Sequence, residues 1–229
     1  MSTVIKIELK KIWRGRIPIY LCLCFAILSI IHTGSNTWAD FIFQKLSWLV
    51  LIIGMLGFGI LSSWLFGFEY QNQTFKDLLA LPISRSKLVI SKLLALLISE
   101  ATVLLVLICW IFLMGSILQM RISLQSTALA FRHFIPAVLC TLGLNLFYPL
   151  IASISHGLLA PISFDFASLI FGRIIAEESF GRYFPWAGPF LSIKQGTGTS
   201  FWSWSSVFLV SVIGIIGTIL WWNQVDQKD

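Results

Sequence analysis

Residues 176–182 (AEESFGR) hold the side chains closest to a hydrolytic constellation. Glu177, Glu178 and Arg182 read EExxxR. A glutamate base activates water for peptide hydrolysis only with partners that hold the water and its proton, and histidines would serve. No histidine follows His156, and no phenylalanine stands four residues before any histidine. The plainer reading is that these charges cap an outer helix, and no catalytic residue is expected. Metal chemistry is not expected either, since Cys22, Cys24, Cys109 and Cys140 lie inside apolar runs without metal-ligand or CxxC spacing. The chain has no Gly-Lys pair, hence no GxxxxGK[ST] loop to cradle a phosphate. Glu100, Asn145, His156 and Asp165 are polar residues within or beside long apolar runs. Such groups are costly at membrane depth and face a bundle interior or a wet cavity. Glu100, Asn145 and Asp165 are therefore candidates for a substrate path, a buried pair or a subunit contact. His156, in a Ser-His-Gly turn, reads as interfacial.

The elements that must position these residues are dictated by composition. Of 229 residues, 57% are hydrophobic and 11% charged, against about 25% charged in a soluble domain. A soluble fold of this size has too little interior for so much apolar surface, so lipid is the solvent. Many of the ten tryptophans (Trp38, Trp48, Trp64, Trp186, Trp202, Trp204, Trp221 and Trp222 among them) stand near the ends of apolar runs, as headgroup-level anchors do. The net charge of +6 comes from basic residues flanking these runs rather than from a patch, which points to anionic lipid headgroups and not to nucleic acid.

A bilayer core of about 30 Å takes roughly 20 apolar residues in a helix, and only helices satisfy the backbone of such segments locally. Six runs fit: 17–33, 48–68, 93–118, 134–154, 158–175 and 204–222. The first follows Lys10, Lys11, Arg14 and Arg16 in the manner of a secretory signal, but lacks a small-x-small cleavage site and reads as a retained span. The chain is thus expected to be one all-α membrane domain over 1–229. Lys and Arg bias sets its orientation. The first sixteen residues hold five basic side chains, and the loop after the first span only Lys45. With six spans both termini fall in the cytoplasm, 192–200 falls outside, and the sixteen basic residues divide ten inside to six outside.

Two inner segments look functional. In 4–16, Ile5, Leu9, Ile12 and Trp13 share one helical face and Lys6, Lys10 and Arg14 another, the pattern of an amphipathic elbow in the inner interface. The stretch 69–92 reads EYQNQTFKDLLALPISRSKLVISK. Phe75, Leu78 and Leu79 form an apolar stripe at i, i+3, i+4, and Pro82 stops that helix. A solvated loop has no need of such a stripe; a site that docks another protein does.

This stretch resembles the ABC-2 type transporter permeases, which carry after their second span a Glu, a Gly-Thr pair, a Leu-Leu pair, a Pro, an Arg and a Lys. The matching residues are Glu69, Thr74, Leu78, Leu79, Pro82, Arg85 and Lys92, with Gln73 in place of the glycine. The FPWAGP segment (184–189) is similar to the bacitracin-resistance and lantibiotic-immunity permeases of that family. The resemblance implies an exporter subunit with an elbow helix and a short cytoplasmic coupling helix within 69–92. Its ATPase-coupling residues would be Glu69, Thr74, Phe75, Leu78, Leu79, Pro82 and Arg85. It also implies a bacterial plasma-membrane location, a second permease subunit, identical or homologous, and separate ABC ATPase subunits that bind ATP and Mg, with no cofactor in this chain. The cargo implied is amphipathic or hydrophobic, an antimicrobial peptide being one candidate. EExxxR resembles the first motif of the CPBP intramembrane proteases, but their FxxxH and second histidine motifs do not follow, and His32 with Asn36 gives HxxxN on the wrong side of it. A non-transporting membrane accessory protein or channel is the remaining alternative.

Overall fold

The structure is a computed structural model that describes residues 2–31, 37–75, 78, 83–194 and 200–224. Among the described residues every regular element is a helix. Helix α1 (Ser2–Arg14) leads into α2 (Ile17–Ile31) through a 48° bend. The bend falls at Gly15 and Arg16, where Arg16 takes a left-handed φ of 57°. Gly15 allows the Trp64 ring to come close; a Cβ there would lie 2.7 Å from it.

Helix α3 (Trp38–Gln71) is the central element, with 72% of its most apolar stretch buried against 28–44% in the other long helices. It starts ten residues before the apolar run expected at 48–68. Thr37 caps it, accepting a hydrogen bond from the Asp40 N–H. The extension moves Lys45, expected in an outer loop, into a helix. There Lys45 is 3% exposed and its ammonium donates to Ser29 O at 2.6 Å, in the last described turn of α2. The middle of α3, Leu49–Gly57, is wound as a π-helix. One of its carbonyls, Gly54 O, accepts from the Asn145 side chain at 3.1 Å.

The remaining α-helices among the described residues are α4 (Arg85–Ile117), α5 (Leu124–Asn145), α6 (Tyr148–Ser155), α7 (Leu159–Ile175), α8 (Gly188–Ile193) and α9 (Phe201–Gln224), with two short 3-10 turns, Gly181–Tyr183 and Pro185–Ala187, between α7 and α8. α5 and α6 are two parts of one broken span, Leu124–Ser155. Among the described residues four helical stretches (α3, α4, α5 with α6, and α9) are long and apolar enough to cross a membrane, with a fifth if the bent α1–α2 pair is one span. The other expected span coincides with α7, whose 17 residues reach about 25 Å at ~1.5 Å per residue, short of a straight crossing.

Glycines set how closely α3 and α9 pack on their neighbours. A Cβ on Gly59 would lie 2.1 Å from the Asp165 carboxyl, and one on Gly214 would lie 2.4 Å from Leu146 O at the α5–α6 break. At one end of the bundle, Ile12, Leu61, Leu65, Phe66, Phe75, Leu88, Leu93 and Trp222 form a continuous core. That core carries the site.

Candidate functional site

The site begins where α3 stops. Asn72 is the C-cap, Gln73 follows with φ 56°, the Gln73 N–H bonds Tyr70 O at 3.2 Å and the Thr74 N–H bonds Glu69 O at 3.1 Å. This is a Schellman stop, which needs a left-handed residue just past the cap. The family-like motif of Glu, Gly-Thr therefore has a mechanical content: it ends the helix and turns the chain sharply into the next segment. Glutamine in the glycine's place strains the turn, since the left-handed region costs a residue with a Cβ roughly 1–2 kcal/mol. Gln73→Gly should raise stability by about 1 kcal/mol, read as a higher unfolding midpoint in detergent with function retained.

Glu69 is completely buried, and one of its oxygens accepts from both Lys11 of α1 and Lys92 of α4. Lys92 is also completely buried; it reaches Glu8 Oε2 at 3.3 Å and Leu65 O at 3.4 Å, and its ammonium lies 5.5 Å from the Phe66 ring centroid. Two acids and two bases thus lock α1, α3 and α4 together beneath the turn. Glu8 was not singled out from the sequence, because α1 was read by its apolar and basic residues alone. Its signal was there: it is the sole acid in a run of basic residues, three positions before Lys11. Trp13, on the apolar face of α1, is 39% exposed.

Beyond the turn, Phe75 is 7% exposed, stacked on Tyr70 at 4.3 Å and edge-on to Trp222 at 4.9 Å. Leu78 is half-buried against the same core, and its N–H bonds Thr74 O. Leu79 and Pro82 lie outside the described residues, as do Lys76 and Asp77. Arg85 opens α4 and donates to Trp222 O at 3.1 Å and Asn223 O at 3.2 Å.

The structure does not bring the intramembrane candidates to this end. Glu100 and Asp165 are each completely buried, and neither carboxyl has a hydrogen-bond partner among the described residues. Asp165 packs on Gly59. Asn145 is buried and ties the α5–α6 break to α3, its side chain donating to Gly54 O while its carbonyl accepts from Ser62. The residues of EExxxR stand apart: Glu177 pairs with Arg173 at 3.0 Å, both more than 60% exposed. His156 lies before the first residue of α7 and Glu177 beyond its last, with the His156 ring against Tyr70. His133 Nδ1 donates to Ser192 O at 3.2 Å. His32 and Asn36 lie outside the described residues. Among the described residues no three His, Cys, Asp or Glu side chains gather as a metal site.

This end of the bundle combines a helix stop at Gln73, a buried charge lock and the packed ring of Phe75. A family model described as ABC-2 family transporter protein matches residues 4–172. The chain belongs to the ABC-2 transporter family. It is also 32% identical over 196 residues to the bacitracin transport permease protein BCRB of Bacillus licheniformis, an overlap covering 78% of this chain and 88% of that one. No solved structure matches. This ABC-2 family member is thus a multi-pass membrane permease, and the hydrolytic reading of Glu177 and Glu178, which lie past the matched segment, gives way to a transporter subunit. The matched segment contains Glu8, Lys11, Glu69, Lys92 and the turn at Gln73.

Proposed function

We propose that this permease is the membrane-spanning subunit of an ATP-driven exporter of amphipathic peptides, and that the bacitracin class is its cargo. The observation that carries this is the inner end just described. The loop that follows Thr74 leaves a rigid helix stop, and the buried Glu69–Lys92 pair fixes the two helices on either side of it. A force on that loop passes into α3 and α4 without being lost in a flexible joint. The ATPase is a separate polypeptide that binds ATP and Mg. It docks through the Leu78–Leu79 pair. A second permease, identical or homologous, completes the pathway. α7 serves as a short sixth span, α1 lies in the inner interface, and both termini are cytoplasmic. The bacitracin relative supports the cargo; the buried polar side chains Glu100, Asn145 and Asp165 are candidates for the path.

Expression with its ATPase in a bacitracin-sensitive host should raise bacitracin tolerance. Omitting the ATPase, or disabling its Walker A lysine, should return tolerance to that of the host. Tolerance conferred by the permease alone would defeat the proposal. Orientation has its own check: a cysteine introduced at Thr197 should react with a membrane-impermeant maleimide in intact cells. Reaction only after permeabilisation would invert the topology.

A further inference from the structure

The geometry points to the C-terminal end of α9 as a second coupling contact, in which Trp222 and Asn223 are positioning residues clamped to the inner loop and to the start of α4. This inference rests on the ATP-driven reading above and extends it to a part of the chain beyond the family-matched segment. Arg85 is the starting observation. It is the first residue of α4, where a cation opposes its own helix dipole. Its guanidinium serves the other helix, donating to Trp222 O and Asn223 O in the last described turn of α9. The Asn223 side chain donates to Ser86 Oγ at 3.1 Å, a second bond across the same junction.

The Trp222 side chain closes the clamp. It is completely buried, although a tryptophan near a span end ordinarily sits at the headgroups. The indole N–H donates to Ser153 Oγ at 2.9 Å, and the ring meets Phe75 edge-on at 4.9 Å. One residue therefore ties α9 to α6 by its indole N–H, to the inner loop by its ring and to α4 by its carbonyl. The contacts span 137 residues of sequence between Arg85 and Trp222. Displacement of the loop at Phe75 then moves α4 and α9 as one body, and the last span receives the stroke directly.

The test cross-links the junction. Ser86→Cys and Asn223→Cys are introduced after Cys22, Cys24, Cys109 and Cys140 have been replaced by serine or alanine, and a short thiol cross-linker is applied. In the purified permease alone, cross-linking should be rapid; slow cross-linking would overturn the clamp whatever the ATPase does. In membranes with the ATPase, the yield should be the same without nucleotide and after vanadate trapping, because a rigid clamp does not open. A fall in yield on trapping would overturn it. Arg85→Ala should lower bacitracin tolerance about tenfold more than it lowers ATP hydrolysis, within the usual range of coupling free energies, and the cross-link should restore the ratio. A merely structural Arg85 would lower both together and show no rescue, which would also overturn the inference. Wild-type protein that binds no ATPase or confers no tolerance would count against the transport reading, separately from the cross-link in the permease alone.

Discussion

Lys92→Met should cost about 3–5 kcal/mol of stability, the usual penalty for removing one partner of a buried ion pair. Lys92 is completely buried and holds two acids, Glu69 and Glu8, on different helices. Without it, Glu8 loses its ion-pair partner and Glu69 keeps only Lys11, which is 29% exposed. Lys11→Met should be milder, since Glu69 retains Lys92 and the Lys11 end is partly solvated. The loss belongs to the orphaned charges rather than to a missing attraction. Adding Glu8→Gln and Glu69→Gln to Lys92→Met should therefore recover a large part of it. Thermal unfolding in detergent checks the series. A Lys92→Met protein as stable as Lys11→Met would mean that the lock does not hold α1 to the bundle.

Phe75 and Leu78 should separate folding from docking. Phe75→Ala removes a side chain packed between Tyr70 and Trp222, and a buried Phe truncated to Ala costs about 3–5 kcal/mol. Its effect should be on yield and unfolding temperature. Leu78 is half-buried, so Leu78→Asp disturbs the fold less and the proposed partner more. Burial of one Leu contributes about 1.5–3 kcal/mol, and an unpaired charge in its place adds to the loss. Two to three kcal/mol is a loss of roughly 30- to 150-fold in affinity. The variant should insert, pair with its fellow permease and lose its ATPase on purification. An ATPase retained at wild-type stoichiometry would remove Leu78 from the docking surface and leave the exposed face of α1 as the next candidate.

The all-helical membrane class was legible because composition and helix length in lipid leave little choice. Helix ends were harder. Asp40, Gln44 and Lys45 interrupt the apolar pattern, so α3 looked ten residues shorter than it is; Lys45 is buried in the protein, where Ser29 O satisfies it. Trp38 and Trp222 read as headgroup anchors but are 4% and 0% exposed. Tryptophan near a span end does not reveal whether its N–H finds water or a hydroxyl such as Thr127 or Ser153. Glu69, Thr74, Arg85 and Lys92 were legible through the motif, while their partners Glu8, Lys11 and Trp222 come from distant parts of the chain that no local spacing connects. The stripe of Phe75, Leu78 and Leu79 was visible as a stripe. That Phe75 is covered by the chain itself depends on where the Trp222 ring lies, which only the packing decides.

The most direct test of the account is to isolate the tagged permease from its native membrane in mild detergent and identify what accompanies it. A stoichiometric ATPase subunit with a Walker A loop should accompany the wild type and be lost from Leu78→Asp while the permease itself is recovered in equal amount. A permease that purifies with no ATPase, in a preparation whose other membrane complexes stay intact, would contradict it.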